Sequence, residues 1–433
     1  MHRLFRRATA LEQRTAREGG FTLIELLVVI IILGILAAVV VFAVGGVGDK
    51  GKAAAEAIDT RTLRTAEEAY FAQNGRYGTE AELVAGGLLS EESSTNKVYL
   101  NSAAGSCPAG SKCDYSIGNS SEGSSLVLYS GRSATLVNPL LTQFTADTGI
   151  NLTTNFTGGS SGLAALLLTE GANTPADVFF SQDAGTLGQV SRAGLFKTAP
   201  AGATGRIVNP KFLAQDRTWA GVSGRVRVIA YNPTKVPAAS VPTNVFDLTG
   251  PAWTGKVGYD PTNASFQNFV AAMVLTNGQA ATSAWLTAFK NNSPVRITGN
   301  LAIAQAVANA ASPVQLGLIN HYYRFQLTPA EQANVVNSYT TGGDPGALVN
   351  TAGAGILKNT DSPGAAEMFV KYLVSKSAQT YFRDQTSEYP LVADVAARPE
   401  LIPLAQVQSP NIDLNALDNA LAVSLLTTAT LLP

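Results

Sequence analysis

Two adjacent tyrosines, Tyr322 and Tyr323, are the residues of this sequence best suited to binding a metal ion. They follow the apolar segment QLGLIN of residues 315–320 and lie in the run HYYRF. Phenolate oxygen is a hard anionic ligand, and two deprotonated tyrosines would offset two of the three charges of a trivalent cation. Because an unperturbed tyrosine has a pKa of about 10, binding must displace phenolic protons, so affinity should fall in acid.

Backbone geometry limits how the two tyrosines can act together. Neighbouring side chains point to opposite faces of a regular strand, so both phenol groups can reach one ion only where a strand ends and the backbone turns. The change from QLGLIN to HYYRF is consistent with such a strand end. The alternative is an ordinary aromatic pair, with one ring packed in the core and the other exposed.

A second chemical signal is the single carboxylate of Glu25 inside an apolar run. Between Phe21 and Gly48 no other residue is ionisable, and this run exceeds the roughly 20 residues that cross a bilayer as a helix. Residues 1–20 carry five arginines against two glutamates, as expected for a leader on the cytoplasmic side. Carboxylates in membrane helices are costly and usually functional. The alternative is a carboxylate that reaches the interface from a plain anchor helix.

Composition excludes several classes of function. The chain has 433 residues, 46% of them hydrophobic, and a formal net charge of -1, so nucleic acid is not an expected partner. Only two histidines are present, and phosphate-loop, nucleophile-elbow and HExxH motifs are missing from the sequence, so we expect no enzyme and no zinc site. Cys107 and Cys113 share a polar loop, where they would form a small disulfide outside the cytoplasm or remain two free thiols.

The pattern of apolar residues divides the chain into several regions. A helix is expected to continue from residue 49 towards Tyr77, with Asn74-Gly75 as its natural stop, followed by two or three strands within residues 97–118. The Gly/Ser-rich stretch 118–125 is expected to be a flexible linker. From Leu126 onward, short apolar strands alternate with helices of 10–15 residues, which indicates βαβ units with a parallel sheet. About 310 residues of this kind suit two α/β lobes with a ligand cleft between them.

The N-terminal segment closely resembles that of type IV prepilins. Gly20-Phe21, followed by Thr-Leu and then Glu25, matches their processing and assembly signal over about the first 45 residues. The resemblance implies a leader over residues 1–20, cleavage after Gly20 by a prepilin peptidase, and methylation of the new terminus. It further implies a retained pilin helix over 21–48 and a pilin-like region over 49–117. The cleaved protein would be a single-pass protein of the cytoplasmic membrane that could pack with other pilins.

Residues 126–433 resemble the periplasmic ferric-ion-binding proteins of iron ABC transporters. The matching stretches, in common order, are LVLYSGR, PADVFFSQDAGTL, GVSGRVRVIAYN, PTNASFQNF, LINHYYRF, GGDPGALVNTAGAGILK and EYPLV. The resemblance implies a two-lobed periplasmic binding protein fold of type II-like architecture, with Fe(3+) held by Tyr322 and Tyr323. Ser133 and Gln182 stand where other members have a histidine and a glutamate ligand, and Phe266 where some have a third tyrosine.

Other ligands are less clearly indicated by this resemblance. Tyr129 is an additional candidate ligand or a core tyrosine at a strand end. His321 is a candidate for a hydrogen-bonding or surface role, since neutral imidazole suits ferric ion less well than phenolate. The family completes its iron shell with a carbonate or phosphate anion. The residues corresponding to the family's anion site are Arg225, Asn263, Ala264, Ser265, Asn300 and Asn320.

Together the two resemblances imply a membrane- or pilus-tethered protein that captures ferric iron outside the cytoplasm for an ABC transporter permease. The alternative is a minor pilin or pseudopilin whose cleft binds an oxyanion or another small solute. Iron binding and incorporation into a pilus could also coexist.

We predict that the mature chain begins at Phe21, because the Gly-Phe junction lies four residues before Glu25. N-terminal mass spectrometry of the membrane-bound protein measures this directly. A mature terminus beyond residue 45 would show an ordinary cleaved export signal and would contradict the prediction.

Overall fold

The structure is a computed structural model that describes residues 54–100, 115–119 and 125–432. The expected processing site at Gly20 and Phe21, the membrane carboxylate Glu25 and the pair Cys107 and Cys113 lie outside these residues. Within the described part, no helix has both the length and the apolar character needed to cross a bilayer. By compactness the chain divides into residues 1–58 and 59–433, and apart from residues 54–58, which begin the first helix, the features below belong to the second unit.

A small α+β module occupies residues 59–100 and 115–119. Helix α1 (54–74) packs Leu63, Ala66 and Tyr70 inward, the last two against Leu83 of helix α2 (Glu80–Ala85). Helix α1 ends as expected before Gly75, which adopts a positive φ of 68°. Strands β1 (Asn96–Leu100) and β2 (Tyr115–Asn119) pair antiparallel. These are the two strands found among the described residues of the module.

The first lobe is built on three parallel strands, with β3 between β4 and β5. Helix α3 covers them and packs Phe144 edge-on against Phe369 and Tyr372, with ring centroids 5.0 and 5.1 Å apart. The elements are β3 (Ser125–Ser130), α3 (Ala134–Thr148), β4 (Asn151–Asn155), α4 (Gly159–Glu170), β5 (Val178–Ser181), α5 (Ala184–Arg192), α6 (Ala201–Thr204), and later in the chain α11 (Pro363–Leu373) and α12 (Lys376–Gln385).

The second lobe has a parallel core of strands in the order β8-β7-β9. Its elements are β7 (Val257–Tyr259), α7 (Ala264–Asn277), α8 (Gln279–Asn291), β8 (Val295–Arg296), α9 (Asn300–Ala308), β9 (Leu316–Asn320), α10 (Pro329–Gln332) and β10 (Val336–Ser338). The last helix of the chain, α13 (Asn419–Thr428), packs on α7.

Strand β6 (Trp219–Tyr231) connects the two lobes because different parts of it pair with different neighbours. Its first part pairs antiparallel with both β11 (Val349–Ile356) and β12 (Tyr389–Pro390). Its last residues pair antiparallel with β9 and β10. The parallel sheet expected from the sequence is thus found within each lobe, whereas the strands that join the lobes pair antiparallel, which the sequence did not predict. Local alternation of strands and helices predicts βαβ units, but it does not show the direction of a long strand that returns from another lobe.

The module is docked against the first lobe through α11. The hydroxyl of Ser116 donates to the carbonyl of Gly364 at 2.9 Å, and Lys371 donates to the carbonyl of Tyr115. A Cβ at Gly364 would lie 2.4 Å from the Cα of Gly118, so the two backbones meet closely. Gly118 and Asn119, expected in a linker, belong to β2, and Ser125 belongs to β3. The ends of the expected linker 118–125 are thus paired strand residues.

Candidate metal and anion site

The two tyrosines lie where β9 ends at Asn320 and a 3-10 turn over His321–Gln326 begins. This turn places the rings of Tyr322 and Tyr323 side by side, with centroids 4.4 Å apart and planes inclined by 32°. The strand end expected from the sequence is therefore present, and it brings the two phenol groups to one side of the backbone. Tyr322 is buried and Tyr323 partly buried.

The environment of Tyr323 favours a protonated phenol in the unliganded site. Burial raises its pKa well above the ordinary value, and the neighbouring Tyr322 raises it further, whereas the charge of Arg225 and the amide of Asn300 lower it. A metal ion that binds here must displace this proton. The positive charge of Arg225 makes that displacement less costly than burial alone would allow.

His321 fixes the turn and does not face a ligand. Its Nδ1 accepts from the N–H of Val226 at 3.1 Å, and its Nε2 donates to the carbonyl of Ser387 at 2.9 Å. Burial lowers the pKa of His321 to about 4, although the carbonyl of Ser387 and the charge of Glu388 act in the opposite direction. Both ring nitrogens are occupied and the ring is neutral. Of the roles considered for His321, hydrogen bonding is the one that the structure supports.

Arg225 is the centre of the expected anion site. Its side chain is 1% exposed, yet none of its three guanidinium nitrogens has a hydrogen-bond partner among the described residues. Leaving a buried polar group without a partner is costly, and more so for a charged group. The charge of Arg225 also acts on Tyr323 and on Glu388. An oxyanion beside the tyrosines would supply the missing acceptors.

Arg227 lies two residues further along β6, on the same face as Arg225. It donates to the hydroxyl of Ser265 at 3.2 Å and to the carbonyl of Leu318 at 2.9 Å. Burial lowers the pKa of Arg227 to about 9, although the nearby carboxylate of Asp260 acts against this shift. Its guanidinium lies 5.2 Å from the ring of Phe266, which is fully buried and serves as core.

The N-terminal turn of α7 is anchored next to this arginine. Asn263 is the N-cap residue, and its Oδ1 accepts from the N–H of Ser265 at 2.9 Å and from the Ser265 hydroxyl at 2.6 Å. Ala264 is the first residue of the helix. The N–H groups of a helix N-terminus favour an anion. The Asn263 side-chain oxygen is engaged in capping, and its N–H donates to the carbonyl of Asp260 at 3.4 Å, so its amide nitrogen is the group that could contact a ligand.

Three buried asparagines each present a side-chain nitrogen without a partner among the described residues: Asn300, Asn320 and Asn350. Asn320 lies opposite Arg227 in the strand pairing, and Asn350 lies opposite Arg225. Opposite residues in antiparallel strands lie on the same face of the sheet. Asn300 and Asn320 were expected from the sequence, whereas Asn350 was not. Its only signal was its place in the matching stretch GGDPGALVNTAGAGILK.

The expected first-lobe positions lie on neighbouring loops. The hydroxyl of Ser160 accepts from the N–H of Gln182 at 2.8 Å and donates to the carbonyl of Gly131 at 3.4 Å. Ser133 is exposed, and its hydroxyl contacts that of Thr135. Neither Ser133 nor Gln182 offers an anionic oxygen, so the first lobe provides no strong ferric ligand at these two positions.

Tyr129 is bonded to a carboxylate of its own lobe. Its hydroxyl donates to the carboxylate of Glu170 at 3.1 Å. Glu170 is the last residue of α4, which begins near the cleft at Gly159 and runs away from it for 12 residues, about 18 Å of helix. This contact favours the alternative of a core tyrosine at a strand end over a ligand role for Tyr129.

A buried ion pair that sequence reasoning did not identify closes the site on the first-lobe side. Arg132 binds Glu388 through two contacts of 2.9 and 3.0 Å, and Glu388 also accepts from the hydroxyl of Ser223 at 2.6 Å. Burial would raise the pKa of Glu388, but the charges of Arg132 and Arg225 outweigh it and keep the pKa below its ordinary value. Arg132 stands beside Ser133 in the sequence, but nothing there indicates a partner 256 residues away.

Comparison with known proteins agrees with this fold. Residues 173–414 match the model of a family described as bacterial extracellular solute-binding protein, and residues 15–41 match the prokaryotic N-terminal methylation motif. The chain is 34% identical over 311 residues to the Fe(3+)-binding periplasmic protein of Serratia marcescens, covering 71% of this chain and 90% of that protein. It is 31% identical over 293 residues to the major ferric iron-binding protein of Neisseria meningitidis serogroup B, covering 66% of this chain and 87% of that protein.

Solved structures share the fold of the solute-binding part of the chain. Iron-bound HitA from Pseudomonas aeruginosa superposes with a TM-score of 0.66 at 32% identity, covering 70% of this chain and 99% of that one. The Trichodesmium protein in complex with iron and citrate superposes with a TM-score of 0.62 at 28% identity, covering 70% and 99%.

Fold and site together define a two-lobed solute-binding protein rather than an enzyme. The chain belongs to the bacterial extracellular solute-binding protein family and carries a prepilin-type methylation motif at its N-terminus.

We predict that His321 makes folding sensitive to acid. Its folded pKa of about 4 lies below the ordinary 6.5, so between these values the unfolded chain binds a proton that the folded chain rejects. Stability from this source is complete above pH 6.5 and falls by about 3 kcal/mol by pH 4. The stability difference between the parent and His321→Gln, which cannot titrate, should shrink accordingly.

Unfolding of the detergent-purified parent and variant at pH 7, 5.5 and 4 measures this difference. The comparison is needed because burial raises the pKa of Glu67 to about 7, which acts in the opposite sense over the same range. A difference that stays constant with pH would contradict a buried neutral His321.

Proposed function

We propose that residues 125–432 bind one ferric ion in the cleft through Tyr322 and Tyr323, together with a carbonate or phosphate anion held by Arg225. The observation that carries the proposal is the combination of two converging phenol rings with a buried guanidinium that has no partner among the described residues. Relatives that are named as ferric-iron-binding proteins support the choice of metal.

The charges of the arginines around the tyrosines and of their partners support both an ion and an anion. Arg132, Arg225 and Arg227 are opposed by the two carboxylates whose charges act on them, those of Glu388 and Asp260, which leaves one positive charge within this group. Two phenolates and a ferric ion would raise this to two positive charges. A bound dianion would cancel them, and neutrality matters because charges in a poorly solvated site are costly.

The first lobe fits this arrangement because an external anion replaces ligands that the chain lacks. Ser133 and Gln182 are neutral, so a carbonate or phosphate oxygen would complete the iron shell. Besides Arg225, we propose that this anion would be received by the N-terminal turn of α7, with Asn263, Ala264 and Ser265, and by the amide nitrogens of Asn300 and Asn320.

The prepilin-type motif suggests how the protein is held. We infer that prepilin peptidase processes the chain at Gly20, that the apolar segment anchors it in the cytoplasmic membrane, and that the cleft faces the extracytoplasmic side. Iron would pass from the cleft to an ABC transporter permease, as is usual for solute-binding proteins of this kind. Incorporation into a pilus beside other pilins is compatible with the same motif.

A second candidate function is oxyanion binding without iron, in a minor pilin. It is favoured by the contrast between the well-developed anion side of the cleft, with Arg225, Asn300 and Asn320, and the first lobe without an anionic ligand. Spectroscopy separates the two functions, because ferric phenolate absorbs visible light and an oxyanion complex does not.

We predict that Tyr322→Phe and Tyr323→Phe each abolish the visible band and most of the ferric affinity while the fold is retained. Each substitution removes one phenolate from a site that has two. Titration of the detergent-purified protein with ferric citrate, followed by visible absorption, measures both effects. Tyr129→Phe is the matched control and should keep the parent spectrum, because its hydroxyl is bonded to Glu170.

If the double Tyr322→Phe, Tyr323→Phe variant binds ferric ion as tightly as the parent, this cleft is not the iron site. A parent protein that shows no visible band but binds phosphate would favour the second function.

We predict that Arg225→Met weakens ferric binding by about ten- to a hundredfold, in line with the loss of hydrogen bonds to a charged group. Its affinity should also lose most of its dependence on added carbonate or phosphate. Titration at several anion concentrations measures this, and the exposed Arg296→Met variant is the control. A variant that responds to the anion as strongly as the parent would show that the anion lies elsewhere.

Ser133→His should be tolerated, since it restores a ligand type used in the family.

A further inference from the structure

Two helices from opposite lobes begin at the cleft and meet there. Helix α5 starts after β5 in the first lobe, and α7 starts after β7 in the second. The carboxyl ends of strands in such sheets face the ligand cleft. Asp183, which directly follows Gln182, caps α5 and accepts from the N–H of Thr186 at 3.0 Å. Both helix N-termini therefore lie at the edge where the lobes close.

Asn268, in the second turn of α7, joins these two helices. Its Nδ2 donates to the carboxylate of Asp183 at 3.0 Å, and its Oδ1 accepts from the N–H of Gly185 at 3.2 Å. Both partners belong to the first lobe, whereas Asn268 belongs to the second. Its side chain is fully buried, and it also donates to the carbonyl of Ala264, the first residue of α7, at 2.7 Å.

Close backbone approach makes this contact possible. A Cβ at Gly185 would lie 2.8 Å from the Oδ1 of Asn268 and 2.8 Å from the Oδ1 of Asn419, so a larger residue would displace the amide that makes this contact. The preceding amide of the same turn, that of Ala184, donates to the side-chain oxygen of Asn350, which lies opposite Arg225. The start of α5 is thus held from two sides, by the second lobe and by the strand beside the anion site.

We propose that Asn268 is a positioning residue that latches the two lobes together and slows release of the bound ion. Opening the cleft would separate α7 from α5. This would break the two buried hydrogen bonds of Asn268 and expose the carboxylate of Asp183 to water. The same amide is tied to Ala264 in the anion-binding turn, so a filled anion site and a closed latch support each other. This inference rests on the proposed function for its cargo, but the latch itself is a contact between the lobes.

The release rate tests the latch. The detergent-purified full-length protein, loaded with ferric citrate, is mixed with excess chelator, and decay of the visible band is followed. Asn268→Ala should release iron about tenfold faster or more, which is the effect expected for losing two buried hydrogen bonds. The band at saturation should be unchanged, because Tyr322 and Tyr323 are untouched. Gly185→Ala should also speed release, although alanine favours a helix more than glycine does.

Two matched controls separate the latch from general destabilisation. Asn292→Ala removes a buried asparagine whose amide bonds lie within the second lobe, to Leu248 and Gly250. Gly162→Ala adds a methyl group to a first-lobe helix where the nearest atom would be 3.8 Å away. Both should release iron at the parent rate. If Asn268→Ala and Gly185→Ala also release at the parent rate, or if Asn268→Ala changes the band shape, the latch is refuted.

Hydrogen exchange gives a readout without iron. The N–H of Gly185 should exchange slowly in the parent, and its exchange should become much faster in Asn268→Ala. A parent without a visible band would refute the ferric function and leave this measurement as the test of the latch. Rapid exchange at Gly185 in the parent would refute the latch even if iron binds.

Discussion

The buried charge of Arg225 is the constraint on which the site depends. Its guanidinium is enclosed, has no hydrogen-bond partner among the described residues, and lies close enough to influence Tyr323 and Glu388. A cation in such a position is stable only if nearby groups balance it. Glu388 is already shared with Arg132, so it offsets only part of the charge. In the proposed function, the tyrosines and an external anion would complete the neutralisation, which would link metal binding to anion binding.

The same constraint on buried positive charge explains why the His321 ring is neutral. An imidazolium between Val226 and Ser387 would add another positive charge near Arg225, and burial already disfavours it. The neutral ring instead accepts from one backbone group and donates to another, and so fixes the direction in which the turn after β9 begins. Since Tyr322 follows immediately, the orientation of the first phenol depends on a histidine whose two ring nitrogens are both bonded to the backbone.

Much of this arrangement could be predicted from the sequence, and the exceptions share a cause. The strand ending at Asn320, the turn that brings Tyr322 and Tyr323 together and the alternation of strands and helices all follow from local patterns. The sequence did not predict the partner of Arg132, the antiparallel pairing of β6 with β11, or the direction of the Tyr129 hydroxyl. Each of these depends on residues distant in the chain, which periodicity and composition do not connect.

The docked module shows the same limit at the level of domains. Its Gly/Ser-rich border predicted a free linker, because such a composition costs little to leave unstructured. Two contacts hold the module against the first lobe. Gly118 lies against Gly364, and Tyr99 is only 4% exposed within the core of the solute-binding lobes. Two glycines let the backbones of β2 and α11 meet, and a buried tyrosine makes separation unfavourable. The module is therefore joined to the first lobe by packing as well as by chain connectivity, and the movements that open the cleft must leave this contact intact or break it at the cost of exposing Tyr99.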